Sequence, residues 1–317
     1  TIEPPAIALR MPQRSGLAAA IDPENPAAIL RTEPLISVDK PASTMPPLPD
    51  GDFTIEAHVL LQSLFPDGTV RTIASRWKGG TSDPGWSFGV TSEQSSYKPR
   101  NVILQLAGDT TKGGGGYQVI PSGIHLELHR PYYVAASVRI PSMSPQPGSD
   151  GAAGAPKESH EKVVPPKADG EQQMGTVTFF VKDLSDNDAP LIERTIPHGF
   201  FDSHASPQRF AIGGRDSGNP GAAAQSLWDG LIDDVRLSDR ALAQSELLHE
   251  SGDPGAAVAG FWRFEETPGF AEDSSPHRRR LVRDAPPPPK VKDLRRHEAL
   301  VDLCHVLFNS SGFLYVD

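Results

Sequence analysis

Phe210 to Leu248 reads F-A-I-G-G-R-D-S-G-N-P-G-A-A-A-Q-S-L-W-D-G-L-I-D-D-V-R-L-S-D-R-A-L-A-Q-S-E-L-L, and the organisation of the chain can be worked out from this stretch. Phe210–Ile212 and Leu231–Leu237 are largely apolar runs separated by turn residues. Ser238 then opens an S-x-x-[AL] helical start, so the order is strand, Gly-rich loop, strand, short helix. Two glycines fix the turns.

Upstream, Phe53, Ile55, Ala57 and Val59 alternate with Thr54, Glu56 and His58, the period of two expected for a strand with one dry face. Val177, Phe179 and Val181 repeat the pattern, as do Ile124, Leu126 and Leu128. Several such runs, separated by Gly, Pro, Asn and Asp clusters, predict an all-β sandwich or jelly roll rather than alternating strands and helices. The 32 prolines and 29 glycines are too many for a helical protein.

The order F-x-I-G-G, W-x-G-x-I-D-D-V-R-L, S-x-R-A-L-x-x-S-E-L resembles the end of laminin-G-like, pentraxin-like modules of the concanavalin A-like lectin and glucanase superfamily. D-G-D-F-T-I-E-A-H-V-L-L from Asp50, T-I-A-S-R-W, G-W-S-F-G-V, R-N-V-I-L-Q-L, Y-Y-V-A-A-S-V and G-T-V-T-F-F-V-K-D-L from Gly175 follow the order usual in that superfamily. The resemblance covers roughly 35–265 and implies a two-sheet antiparallel β-sandwich with an extracytoplasmic location. The C-terminal L-R-R-H-E-A-L-V-D-L-C-H-V-L-F-N-S-S-G-F-L-Y-V-D is similar to the last segment of a planctomycete domain of unknown function found in large exported proteins with cytochrome c modules. W-R-F-E-E-T-P-G-F-A-E-D-S-S from Trp262 resembles a piece those proteins carry beside their laminin-G-like insert.

Composition places the joints. Residues 1–34 read as an irregular leader, 35–265 as the sandwich, 266–290 as a linker and 291–317 as a helical segment of a neighbouring domain. Within the sandwich, 141–174 is too poor in apolar residues to offset its ordering entropy and is expected to form a mobile insertion without a strand. The four prolines between Asp284 and Lys290 make a stiff spacer. Leu300, Leu303, Cys304, Leu307 and Phe308 line one face of a C-terminal helix, which would pack against parts of a larger parent protein.

A net charge of −10 and the lack of a basic stripe argue against nucleic acid as a partner. No run approaches the ~20 apolar residues of a membrane span, and the start T-I-E-P-P lacks a signal peptide's basic and apolar regions, as expected of a fragment or mature piece. The single cysteine, Cys304, excludes an intrachain disulfide, offers no C-x-x-C-H haem attachment and reads as a small buried hydrophobe.

The chemistry points to binding rather than turnover. Glucanases of the resembling superfamily use an E-x-D-x-x-E strand, and this chain has none. Asp233 and Asp234 are neighbours on a strand, so alternation predicts that they face opposite ways. The resemblance implies a calcium ion at the sandwich rim, held by Asp52 and Asp233, with Asp216 and Asp229 as further candidates and ordinary turn and backbone bonding as the alternative. His125, Glu127 and His129 have strand spacing suited to zinc but equally form an exposed polar face opposite Ile124, Leu126 and Leu128. His198 and His204 read as loop residues. Trp77, Trp86, Trp228 and Tyr117 are candidates for stacking on sugar rings, with core or rim packing as the alternative for the indoles. K-G-G-G-G-Y from Lys112 lacks the G-K-[ST] ending of a phosphate cradle and reads as a flexible hairpin. The functional expectation is a noncatalytic module recognising a glycan or a protein surface. The alternatives are a structural domain packed against other modules of its parent protein, and a glycoside hydrolase or lyase.

Overall fold

The computed structural model describes residues 8–9, 18–21, 29–32, 48–49, 51–81, 83–108, 117–140, 174–199, 208–217, 226–251, 255, 257–265 and 272–283. The chain divides into two units, Thr1–Arg283 and Asp284–Asp317, and every described residue belongs to the first. The C-terminal helix with Cys304, the insertion at 141–173 and the glycine run 113–116 lie outside the described residues.

In chain order the strands are β1 (Ala8–Leu9), β2 (Ala18–Ile21), β3 (Leu30–Thr32), β4 (Phe53–Leu61), β5 (Val70–Arg76), β6 (Gly85–Thr91), β7 (Asn101–Ala107) and β8 (Tyr117–His125). They continue with β9 (Pro131–Arg139), β10 (Gly175–Asp183), β11 (Ile192–His198), β12 (Ala211–Ile212), β13 (Gly230–Ser238), β14 (Val258–Trp262) and β15 (Leu281–Arg283). They build two antiparallel sheets, ordered β1-β2-β13-β4-β9-β10-β11 with β14 also on β13, and β15-β3-β12-β5-β6-β7-β8. This is the expected sandwich. Among the described residues helix is confined to a 3-10 turn at Gln244–Glu246 and one α turn, α1 (Leu248–Ser251), and no helix is long and apolar enough to cross a membrane.

The apolar positions of the alternating strands meet between the sheets, where Phe53, Ile55, Ala57, Val59 and Leu61 join Phe88, Leu104, Val134, Phe179 and Ile232 in one cluster. An aromatic column ties the layers together: Phe53 stacks on Trp86 at 4.8 Å, Trp86 meets Phe210 at 6.0 Å, and Phe210 stacks on Trp262 at 4.9 Å. The glycine of W-D-G has a packing reason. Gly230 has φ +130°, and a Cβ there would sit 2.0 Å from the Leu60 carbonyl oxygen of β4.

The structure corrects two expectations. The leader and linker contribute strands: β2 pairs with β13 at Leu231↔Ala20, β3 with β12 at Ala211↔Arg31, and β15 with β3 at Val282↔Arg31. These stretches are too short to show periodicity, and their partners lie far away in sequence. The polar side of β4 is also not a wet face. Thr54, Glu56 and His58 are buried, because residues 240–248 lie across that side and bond to it.

Glu56 is the centre of that contact. Its carboxylate pairs with the buried Arg236 guanidinium, while its Oε1 accepts from Tyr133 Oη at 2.5 Å and Leu248 N at 2.8 Å. Arg236 Nη2 in turn donates to the Glu246 carbonyl at 2.8 Å. Burial, and next the adjacent Glu56 charge, pushes the Tyr133 phenol well above its ordinary pKa and keeps it a donor. Around this polar centre Tyr133, Ala135, Phe180, Leu242, Leu247 and Leu248 form a second apolar cluster.

Candidate functional site

The 7-stranded sheet carries an open cleft of about 520 Å³ between Gly68–Val70, the Lys78–Gly80 turn, Asp83, Gln105 of β7, and Arg215 and Ser217 beyond β12. Arg215 enters the cleft because Gly213, with φ +81°, turns the chain sharply at the end of β12. The Arg215 guanidinium lies over the Trp77 ring, 4.8 Å from its centroid, and Nη2 donates to Gln105 Oε1. Gln105 Nε2 donates to Tyr117 Oη at 2.8 Å, and the Tyr117 ring stacks on Trp77 at 5.7 Å. Tyr117, Gln105 and Arg215 thus form one chain of contacts along a buried Trp77 platform, and Tyr117, joined to the cleft wall through Gln105, has 40% of its surface exposed.

The state of Arg215 sets it apart. Its Nε is shielded from solvent without a hydrogen-bond partner. Among the described residues its side chain makes one hydrogen bond, from Nη2, and no ion pair. Burial pushes its pKa down to about 10, so it remains a cation at neutral pH. Other arginines of the sandwich are engaged by acceptors. Arg31 and Arg209 share Asp216, Arg71 donates to Leu227 O and Ser63 O, Arg76 to Pro49 O, and Arg279 to Ala259 O.

The other stacking candidates are core residues. Trp86 and Trp228 are 2% and 0% exposed, the first stacked on Phe53 and the second donating from Nε1 to Leu60 O at 3.3 Å. A strand pattern marks where an indole sits but not which sheet face closes over it. Trp77 is likewise buried, with Nε1 bonded to Gly80 O, and serves the site as a floor under Tyr117 and Arg215.

The acidic residues are regrouped. Asp52 lies at the start of β4, where Oδ1 accepts from Ile140 N at 2.7 Å, whereas Asp233 pairs with His58 six residues further along that strand. That separates them by about 20 Å, so they do not share an ion. Asp216 is taken up by Arg31 and Arg209, and Asp229 accepts from Ser63. Asp233 is joined instead by Asp234 and Glu265, whose carboxylate oxygens all come within 4.8 Å of one another. Strict alternation forbids that neighbourhood, but the register slips between Asp233 and Arg236, and Asp234 adopts φ +46°. The bulge brings consecutive carboxylates together. His58 and Arg263 face Asp234, each at 3.8 Å.

The histidine triplet is not a ligand set. β8 ends at His125 and a turn with His129 at φ +61° follows, while His125 Nδ1 bonds to Pro99 O and Glu127 pairs with Arg100. His198 is not in a loop: it ends β11, buried, with Nε2 2.9 Å from Arg139 O. His204 lies outside the described residues.

No protein-family model and no curated protein sequence matches the chain. Solved structures do resemble it. A native heptameric SAP-like pentraxin from Limulus polyphemus is 15% identical over 84% of this chain and 94% of that one, with a TM-score of 0.39. A putative carbohydrate binding protein from Bacteroides ovatus is 16% identical over 81% of this chain and 58% of that one, with a TM-score of 0.44. The IT-sialidase CBM40 of Ruminococcus gnavus, bound to α2,3 sialyllactose, is 14% identical over 63% of this chain and 82% of that one, with a TM-score of 0.36.

Proposed function

We propose that the domain is a noncatalytic binding module that takes a carbohydrate at the cleft beside Tyr117. The observation that carries this reading is an exposed aromatic ring, held rigid by a buried indole and by Gln105, next to a cleft lined with polar donors. A sugar ring packs its apolar face on such a ring and directs its hydroxyls to the neighbouring amide and guanidinium. Among the described residues the cleft lining contains one carboxylate, Asp83, whereas glycoside hydrolysis employs a pair, which favours binding over turnover. By the resemblance in its sequence, the module works outside the cytoplasm as part of a larger chain.

A glycan array followed by calorimetry on the full chain tests this. Loss of the Tyr117 ring in Tyr117→Ala is expected to weaken a glycan hit by about tenfold, the scale of one aromatic contact. A hit unaffected by that change, or no hit at all, removes the carbohydrate reading and leaves docking against a protein surface or another module.

A calcium reading rests on Asp233, Asp234 and Glu265, which supply the hard oxygen atoms that calcium prefers. His58 and Arg263 stand 3.8 Å from Asp234, and Asp233 Oδ1 accepts from Asp234 N at 2.8 Å, so an ion would share these carboxylates with the groups already around them. An ion bound only by the folded state raises stability by about 2.7 kcal/mol at a hundredfold excess over its Kd. Melting temperature should therefore rise in millimolar calcium and fall back with chelator, and Asp233→Asn should erase the difference. Identical melting in calcium and chelator refutes it.

A further inference from the structure

We propose that the cleft recognises an acidic sugar, with Arg215 receiving the ring's anionic group, a carboxylate or a sulfate, while the ring packs beside Tyr117. This rests on the carbohydrate reading of the same cleft and adds the charge of the ligand.

Taking a guanidinium out of water is tolerated when carboxylates or carbonyls accept its protons. The chain follows that rule at Arg236, which has Glu56, at Arg31, which has Asp216, and at Arg71, which has the carbonyls of Ser63 and Leu227. Arg215, half-buried on the cleft wall with its Nε shielded from solvent, departs from it. Among the described residues one of its three side-chain nitrogens is bonded, to the neutral Gln105 amide, and no carboxylate pairs with it.

What surrounds Arg215 orients it without neutralising it. Trp77 supports the guanidinium plane, Gln105 holds Nη2, and Ser226 Oγ accepts from its backbone N–H at 3.1 Å. A planar donor fixed on a rigid floor, with Nη1 carrying no hydrogen bond, is suited to a planar or tetrahedral oxyanion. The remaining lining agrees with this. Lys78 adds a second, exposed cation, and Thr69 and Gln105 add neutral polar groups, against one carboxylate at Asp83. This is a locally positive spot on a chain of net charge −10. Tyr117, reached from Arg215 through the Gln105 amide, sets the distance between the anionic group and the stacked ring.

The test uses the full chain and three probes of matched length: an oligogalacturonide, its methyl ester, and a sulfated galactan oligosaccharide. Calorimetry is expected to show the free acid or the sulfated oligosaccharide binding about tenfold or more tighter than the neutral ester, as a charge-assisted bond requires. Preference for the uronate over the sulfate, or the reverse, identifies the source of the charge. Arg215→Gln should remove the acidic preference, so that this variant binds the free acid and the ester within about twofold of each other. Equal binding of acid and ester by the wild-type chain overturns the proposal without any variant, and leaves the carbohydrate reading standing. A separate titration with acetate and with sulfate, followed by the fluorescence of the tryptophans, separates the two failures. If the anions quench wild-type but not Arg215→Gln emission while no oligosaccharide binds, the anion site stands and the carbohydrate reading falls. If neither anion nor acidic oligosaccharide is bound, the proposal is overturned.

Discussion

Replacing Glu56 with alanine should lower the stability of the sandwich by about 3–5 kcal/mol, the cost of removing one partner from a buried ion pair. The change leaves the fully buried Arg236 guanidinium without its carboxylate, with the Glu246 carbonyl still accepting from Nη2. It also takes the acceptor from Tyr133 Oη and from Leu248 N. Since a domain is stable by only about 5–15 kcal/mol, the loss should be obvious in urea, as a lower midpoint with an unchanged slope. Glu56→Gln keeps an acceptor but not the charge, and should fall between alanine and wild type. The pair itself is not what makes the fold stable. Glu56→Leu, Arg236→Met and Tyr133→Phe together remove the charges and the orphaned hydroxyl, and should recover at least half of the loss, because apolar replacements of a buried pair are often neutral. An alanine variant within about 1 kcal/mol of wild type would mean that water reaches Arg236 and that the 240–248 segment is not sealed onto β4.

This network also shows where sequence reading reaches its limit. The alternation of Phe53, Ile55, Ala57 and Val59 correctly places those side chains between the sheets, because a strand has only two sides and the apolar one turns inward. Nothing in that pattern reveals that Glu56 and His58 are covered too. Their cover comes from Leu242–Leu248, nearly two hundred residues later, and a polar residue saturated by a distant segment has the same letter as a solvated one. W-D-G-L-I-D-D-V-R-L was legible for a related reason: Gly230 answers to the close approach of the Leu60 carbonyl, a local backbone demand.

The candidate site was less legible. Tyr117 is where an exposed aromatic was expected, but Trp86 and Trp228 are interior, since an indole's preference for burial is identical in a core and under a ligand. Arg215 had no distinguishing signal: it is one arginine after a G-G turn, set apart only by having no carboxylate partner among the described residues. Asp234 and Glu265 were hidden by the bulge at Asp233, which breaks the period of two that had separated the carboxylates. A bulge depends on the register of neighbouring strands and is not written in the hydropathy of its own.

The second large effect is expected at Asp273, where alanine should cost on the order of 3–5 kcal/mol by leaving several buried donors without partners. Asp273 is 1% exposed and its two oxygens serve four donors. Oδ1 accepts from Phe261 N and Ser275 N, both at 2.8 Å, and Oδ2 accepts from Arg279 N at 2.8 Å and Ser275 Oγ at 2.7 Å. Three of these are backbone N–H groups, and a shorter side chain brings them no other acceptor. The carboxylate joins β14 of one sheet to the 275–279 turn that leads into β15 of the other, so it holds the end of the unit across both layers. Trp262 Nε1 bonding to Arg279 O, and Arg279 Nε to Ala259 O, depend on the same placement. The loss should therefore be regional as well as global. In Asp273→Ala, amide exchange at Leu281–Arg283 and at Thr32, its neighbour in β3, should accelerate more than exchange in β4. Asp273→Asn, which presents an amide nitrogen to at least one donor, should lie between alanine and wild type. Uniform acceleration across both sheets would show that β15 opens only with the whole fold, and an alanine variant as stable as wild type would show that water replaces the carboxylate at all four donors.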